Sequence, residues 1–336
     1  MSWLLNRRCG FPFVVGLLAS LLAAVTGVPG VEGADKALRV GILSSGTVEL
    51  RGGLEQSLLQ GLQDQGYVEG KNLVIERRYS SAMMESMSDA ARELADMKLD
   101  AIITTCSPST REAKQATSST PIVMVAVSDP VGQKIIASLA RPGQNVTGLS
   151  SQAEDLLPKR LELLSEVLPK TAAVAVLANA GNPVHSRGWQ MLESAAQQAK
   201  LKLMRIDVRT GADLPAAINA AARAHAGALL VLPDDPLLYN IRASIVELAR
   251  RHRLPDFYWA SEYVEAGGLM SYGENLRDSY RSAAVYVDKL SKGARPSELP
   301  VSQPTRFELV INMKTATALG IKIPPSALLR ADRLIE

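Results

Sequence analysis

Four corners of the chain place a polar residue and a proline directly after an apolar run, and they are the positions best suited to binding chemistry. They are Ser107-Pro108, Asp129-Pro130, Asn182-Pro183 and Asp235-Pro236. Ser, Asp or Asn at a helix N-cap, followed by Pro, is a preferred way to begin a helix, so capping alone explains any single corner. The set means more, because ligands of open α/β sheets bind at the carboxyl edge of the strands, against helix N-termini.

Further polar side chains follow the same apolar runs and complete a candidate ligand site. The candidate ligand-binding residues are Ser44, Ser45, Thr105, Ser107, Ser128, Asp129, Asn179, Asn182, Asp234 and Tyr272. Hydroxyls and backbone amides suit a carboxylate, whereas aspartate suits an ammonium group, so the set predicts a small zwitterionic ligand. Tyr272 could close this site or merely pack at a hinge.

Residues for catalysis or metal binding have little support in the sequence. The three histidines, His185, His225 and His252, lack metal-binding spacing, and neither a nucleophile elbow nor a nucleotide-binding glycine motif is present. Asp234 and Asp235 could form an acid/base pair, but capping is the favoured explanation for adjacent residues on a turn. Cys106 has no identifiable histidine partner. We therefore expect no enzyme activity, no cofactor and no metal.

The elements that must position these side chains alternate along the chain. Apolar runs typical of buried strands occupy residues 38–43, 100–105, 121–125, 172–177, 203–208, 226–232 and 269–272. Between them the apolar spacing becomes helical, as in Leu54, Leu58 and Leu62. This rhythm predicts an α/β fold with parallel sheets flanked by helices on both faces.

The first 34 residues have the pattern of a secretory signal peptide. Arg7 and Arg8 precede an uncharged apolar run at residues 13–25, and small residues with helix breakers follow. The run is shorter than the roughly 20 residues that span a bilayer, although an uncleaved anchor is the alternative. Cleavage would leave Cys106 as a single cysteine, so we expect a periplasmic protein without an internal disulfide.

The length and net charge of the chain indicate how many domains it has and which partners it does not bind. The 336 residues exceed what one core usually supports, and a turn-rich stretch at 141–148 is the expected joint. After a signal peptide at 1–34, we expect lobe 1 at 35–147 and 274–300, and lobe 2 at 148–273 and 301–336. The net charge is +3 and no basic block stands out, so nucleic acid is not an expected partner.

Several stretches, in their order and spacing, resemble the ABC-transporter substrate-binding protein family whose better-studied members bind tryptophan and related amino acids. They lie at residues 61–62, 66–70, 120–123, 128–132, 141–143, 145–148, 159–164, 267–273 and 304–319. The resemblance implies a type I periplasmic-binding-protein fold, with two Rossmann-like lobes that close on a solute. It also implies docking on a membrane permease that a separate ATPase drives.

The resemblance places ligand groups on both lobes. On the first lobe they are Ser44, Ser45, Thr105, Ser128 and Asp129, and on the second Asn179, Asn182 and Asp234. The loops at 178–183 and 233–236 differ from those expected of amino-acid binders. Only 4% of the residues are aromatic, so Tyr239, Tyr258 and Trp259 are the few candidates for an aromatic wall. The expected function is solute delivery to an ABC importer; a periplasmic sensor module and an exported α/β enzyme are the alternatives.

Overall fold

The computed structural model describes residues 37–80 and 84–336. The expected signal peptide at 1–34 lies outside the described residues. Within the described part, no helix combines the length and apolar character needed to cross a membrane.

The first sheet contains five parallel strands in the order β2-β1-β3-β4-β5. Its strands are β1 Leu38–Ser45, β2 Leu73–Ser80, β3 Ala101–Thr104, β4 Ile122–Ser128 and β5 Val146–Ser151. The central strands are apolar runs buried on both faces, as parallel sheets covered by helices require. A bulge in β4 lies against Gly148 of β5, where a Cβ would come 2.2 Å from the Met124 carbonyl oxygen, so only glycine fits there.

The second sheet contains seven strands in the order β12-β11-β10-β9-β8-β6-β7. They are β6 Ala173–Asn179, β7 Lys202–Val208, β8 Ala228–Val231, β9 Asp256–Tyr258, β10 Met270–Gly273, β11 Glu308–Asn312 and β12 Arg333–Ile335. All pairings are parallel except that of β10 with β11, which is antiparallel. The predicted α/β class is confirmed, with this one antiparallel pair as an exception to the expected parallel sheets.

Helices connect the strands and cover both sheets. They are α1 Val48–Asp64, α2 Met84–Asp96, α3 Ser107–Ala116, α4 Leu157–Val167, α5 Val184–Ala199, α6 Leu214–Arg223, α7 Pro236–Asn240, α8 Arg242–Arg251, α9 Ser261–Glu265, α10 Leu276–Ser291, α11 Met313–Leu319 and α12 Pro325–Arg330. Leu54, Leu58 and Leu62 form the buried stripe of α1 that their spacing predicts.

Helix α10 follows β10 of the second sheet in the chain but packs beside α1 and against β4 of the first. The two helix backbones approach closely at Gly61, where a Cβ would lie 2.3 Å from the Arg281 carbonyl oxygen. The chain then returns through 302–307 to form β11 in the second sheet. Three passages, at about 151–156, 273–276 and 302–308, therefore link the two halves.

Candidate ligand-binding site

The carboxyl ends of the two sheets meet at a direct hydrogen bond. Ser107, after β3, donates through Oγ to Oδ2 of Asp234, after β8, at 2.6 Å. Gln133 Nε2 donates to Ser107 Oγ at 3.0 Å and to the Ser128 carbonyl at 2.5 Å, which fixes the first-sheet side of the contact. Ser128 Oγ is buried without a hydrogen-bond partner. Three candidate residues, Ser107, Ser128 and Asp234, are thus brought together.

Asp234 has a second carboxylate beside it, that of Glu154 in the segment between β5 and α4. Burial raises the pKa of Asp234 to about 7, although the hydrogen bond from Ser107 opposes the shift. Burial also raises the pKa of Glu154 to about 8, and the charges of Asp234 and Asp155 add to that rise. Both carboxylate oxygens of Glu154 are buried without a hydrogen-bond partner. We call Asp234 and Glu154 the acidic end of the site.

The opposite charge is supplied by Arg51 of α1, which is only 6% exposed. Its Nε donates to the Ser45 carbonyl at 3.1 Å and its Nη2 to Ser45 Oγ at 2.9 Å. The guanidinium lies 4.3 Å from the centroid of the Tyr239 ring, which comes from the second half of the chain. Among residues 37–80 and 84–336, no carboxylate lies within ion-pair distance of Arg51. We call Arg51 and Ser45 the basic end.

An aromatic cluster borders the basic end. The Tyr239 ring lies 5.9 Å from Trp259 and 6.2 Å from Tyr263, and Tyr258 stacks on Tyr263 at 4.4 Å. Trp259 Nε1 and the hydroxyls of Tyr263 and Tyr280 are buried without hydrogen-bond partners. A buried unpaired donor costs about 1–3 kcal/mol, so these groups favour a polar partner beside the rings.

Ser44 and Thr105 lie at the first-sheet edge, and their hydroxyls are 2.9 Å apart. The next residue, Cys106, is the N-cap of α3, so the helix begins one residue earlier than the Ser107-Pro108 corner suggested. Burial raises the pKa of the Cys106 thiol, which also senses the charges of both Arg51 and Asp234. Cys106 lies between Thr105, which contacts Ser44, and Ser107, which donates to Asp234.

Asn179 and Asn182 hold the loop that carries Asp234. Their side-chain amides each donate to Asp235 Oδ2 at 3.0 Å, and Asn182 also donates to the Asp234 carbonyl at 2.9 Å. Asp235 Oδ1 accepts from the Leu238 N–H at 2.8 Å, which confirms its predicted role as a helix cap. In this structure the two amides support the turn at the acidic end.

Asp129 lies at the rim of the acidic end, and Tyr272 lies apart from both ends. Asp129 accepts from the Gly132 N–H at 2.9 Å and contacts the Arg187 guanidinium of the second half. A turn with a positive φ at Asp129 follows β4, so the expectation that Asp129-Pro130 begins a helix is wrong. The Tyr272 ring packs 6.2 Å from Phe307 within a different apolar cluster from Tyr239.

Five residues of this arrangement were not named as site residues from the sequence: Arg51, Gln133, Glu154, Tyr263 and Tyr280. Arg51 did carry a signal, since it lies three residues before Leu54 and seven before Leu58, on the buried face of α1. Glu154 occupies an irregular segment, where no periodicity points to burial. Within the described residues, no group of three or more His, Cys, Asp or Glu side chains could hold a metal ion.

Two concave surfaces flank the site. One, of about 310 Å³, opens beside the basic end and is lined by residues that include Leu50, Tyr239, Arg242 and Glu262. The other, of about 400 Å³, lies on the passages between the halves, where Glu274, Lys289 and Ser302 contribute to its lining. The 310 Å³ cavity adjoins the aromatic cluster, because Tyr239 belongs to both. The lining of the 400 Å³ cavity includes no residue of the acidic end or the basic end.

Comparison with known proteins gives the family. The ABC transporter substrate binding protein family matches residues 45–335. A tyrosine-binding protein from Clostridioides difficile is 27% identical over 271 residues, which is 80% of this chain and 76% of the relative.

Two solved structures share the fold. A conserved domain protein from Vibrio cholerae is 30% identical, with a TM-score of 0.82 over 89% of this chain and 100% of that one. The ABC domain in complex with L-Trp from Streptococcus pneumoniae is 23% identical, with a TM-score of 0.81 over the same shares.

Proposed function

This chain belongs to the ABC transporter substrate-binding protein family, and we propose that the solute it delivers to its permease carries a carboxylate beside an aromatic or apolar group. The observation that carries this proposal is the burial of Arg51 without a carboxylate partner. A buried, unpaired cation is costly, whereas a guanidinium with its planar donors binds a carboxylate with high specificity. The carboxylate of the solute supplies the missing anion.

The aromatic cluster supports the second part of the ligand. Tyr239, Trp259 and Tyr263 pack on one another next to the guanidinium, with ring centroids 5.9–6.4 Å apart. An aromatic or aliphatic group of the solute would extend this cluster by packing against its edge. The tyrosine-binding relative agrees with an amino acid of this type. The sequence-based candidates Ser44, Ser45, Thr105, Ser107, Ser128 and Asp234 then surround the polar part of the solute, with Asn179 and Asn182 behind Asp234.

We further propose that the two sheets are the cores of two lobes that close over the solute. The sequence-based boundary at 147/148 falls inside β5, which pairs with β4, so we place the first change of lobe after Ser151. Contacts that join the lobes in the described arrangement include the hydrogen bonds of Ser107 with Asp234 and of Arg242 with the Leu50 carbonyl. The ion pair of Arg187 with Asp129 and the Arg51 guanidinium over the Tyr239 ring also join them. Ligand stabilises this closed state because it contacts both lobes.

We also propose that the protein is exported to a periplasmic space and catalyses no reaction. The pattern of residues 1–34 supports secretion to a periplasmic space, where a substrate-binding protein meets its solute. The site residues bind through charge, hydroxyls and rings, and a binding role needs no activated nucleophile among them. We propose a solute carrier without enzyme activity.

A thermal-shift titration of refolded, ligand-stripped protein tests the ligand class. The probes are L-tyrosine, L-tryptophan and L-phenylalanine, with tyramine and tryptamine as matched amines that lack the carboxylate. We expect at least one amino acid to raise the Tm through mass action, and neither amine to do so. Equal shifts with the amino acid and its amine, or no shift with any probe, would contradict the proposal.

A further inference from the structure

The carboxylate of Glu154 differs in its hydrogen bonding from the buried carboxylates of Asp235 and Asp256. Asp256 accepts from the Tyr258 hydroxyl and the Leu269 N–H, each at 2.6 Å, and Asp235 accepts from two amides and a backbone N–H. Glu154 is 3% exposed, yet both of its oxygens lack a partner. An acceptor group in this position is satisfied only by a donor that the protein itself does not supply.

The charges around Glu154 indicate that the donor to its unpaired oxygens is a cation. The neighbours that shift its ionisation are Asp234 and Asp155, both acidic. Two arginines lie near this segment. Arg187 contacts Asp129 and lies 3.7 Å from Asp155. Arg160 donates to the carbonyls of Ala153 and Tyr272, and neither arginine forms an ion pair with Glu154. Glu262, another buried acid with unpaired oxygens, differs because Arg277 and Arg242 compensate its charge. Glu154 and Asp234 thus form an uncompensated acidic pair.

We propose that Glu154 and Asp234 form the subsite for a cationic group of the solute, and that Glu154 determines the preference for solutes that carry an amine. The proposal rests on the proposed function, because the solute's carboxylate is taken to lie at Arg51. A chain of hydrogen bonds along one sheet edge connects the two ends. Arg51 donates to Ser45, the neighbouring Ser44 contacts Thr105, and Ser107, two residues further on, donates to Asp234. A solute with an anionic and a cationic group fits both ends at once.

The same arrangement predicts proton release on binding. The pKa values of about 8 for Glu154 and about 7 for Asp234 leave protons on this pair near neutral pH. An ammonium group beside the pair favours the charged carboxylates, so protons pass from the carboxyl groups to the buffer while the ammonium keeps its own. A solute without the amine leaves those protons in place.

Isothermal titration calorimetry at pH 7.5, in two buffers of different ionisation enthalpy, tests the subsite with matched probes. L-tyrosine is compared with 3-(4-hydroxyphenyl)propionate, and L-tryptophan with indole-3-propionate; each second compound lacks only the amine. We expect the preferred amino acid to bind at least about tenfold more tightly than its partner and to release protons. Glu154→Gln should remove most of that preference and of the proton release. Glu162→Gln, an exposed acid of α4 that pairs with Lys159 outside the site, should keep both.

The outcomes separate this inference from the proposed function. Equal affinity for the amino acid and its des-amino partner, without proton release, overturns the cation subsite and leaves the carboxylate site at Arg51 standing. Equal weakening of both compounds by Glu154→Gln assigns Glu154 a structural role and also overturns it. Failure of all four compounds to bind overturns the proposed ligand class, and the subsite with it.

Discussion

The two charged ends of the site are assembled differently. At the basic end, Arg51 is held by Ser45 of the same lobe, and only the Tyr239 ring comes from the other half. At the acidic end, Asp234 is held across the interface by Ser107 of the first lobe. In the proposed closure, the basic end is organised before the lobes meet, whereas the acidic end is complete only once they have met. The first should set affinity for the solute, and the second should couple binding to closure.

The largest expected effect comes from removing the basic end. Arg51→Met should weaken binding of the preferred amino acid by about 3 kcal/mol, more than a hundredfold, because a charge-assisted bond to the carboxylate is lost. Arg242→Met is the matched control, since its guanidinium also lies over the Tyr239 ring, at 4.6 Å, but donates to backbone carbonyls. Calorimetry should show a much smaller loss for the control. Equal losses would mean that stacking on Tyr239, rather than the ion pair, dominates.

The acidic end should appear in the pH dependence of stability. The pKa values of Asp234 and Glu154 are higher in the folded than in the unfolded protein, so the folded state binds more protons between about pH 4 and 8. Their contribution to the free energy of unfolding is present at low pH and is lost as pH rises through about 7 and 8. Between pH 5 and 8, the free energy of unfolding of Asp234→Asn should therefore fall by roughly 2 kcal/mol less than that of the wild type. Urea unfolding of both proteins at each pH measures this difference. A difference that stays constant from pH 5 to 8 would contradict this.

A smaller effect is expected from two stacked tyrosines that differ in their hydroxyls. Tyr258 donates to Asp256, whereas the Tyr263 hydroxyl is buried without a partner. Tyr258→Phe should destabilise the ligand-free protein by about 1 kcal/mol, but Tyr263→Phe should leave it equally or more stable. If the solute satisfies the Tyr263 hydroxyl, Tyr263→Phe should also weaken binding by about 1 kcal/mol. Unfolding curves with and without ligand measure both quantities, and equal destabilisation by the two variants is the contradictory result.

The smallest effect is expected at the rim of the site, where Arg187 meets Asp129. Both side chains are partly exposed, so their ion pair is worth roughly 0.2–1 kcal/mol and is weakened by salt. Arg187→Ala and Asp129→Ala should each weaken solute binding by no more than that. A loss of about 1.5–3 kcal/mol for Asp129→Ala alone would instead place Asp129 on the ammonium group, as the sequence-based hypothesis expects.

Patterns local in sequence predicted the fold well. Apolar runs of four to eight residues gave β1, β3, β4, β6, β7, β8 and β10. The edge strand β2 was missed because its apolar alternation ends at Ile75. The three consecutive charged residues that follow, Glu76, Arg77 and Arg78, pair with charged neighbours at the sheet margin. β5 was missed because it begins inside a turn-rich stretch, where Gly148 serves close strand packing rather than a turn.

The site was only partly predictable, because several of its contacts join residues that are distant in the sequence. Ser107 and Asp234 could be expected near each other, since both follow parallel strands at a carboxyl edge. The partner of Asp129 is Arg187, which is 58 residues away on a helix, and no local pattern indicates that contact. Tyr239, Tyr258 and Trp259 were named from composition and do converge, but their neighbour Tyr263 belongs to a five-residue helix too short to show a periodicity.

The position of α10 has a consequence for how the chain acquires its structure. The helical layer over the first sheet is incomplete until residues 276–291 have been synthesised, after five of the seven strands of the second sheet. A fragment that ends at Ser151 contains all five strands of the first sheet but leaves the α1 surface around Gly61 without its covering helix. The N-terminal half therefore depends on a late segment of the chain, and its apolar face stays open to other contacts until that segment arrives.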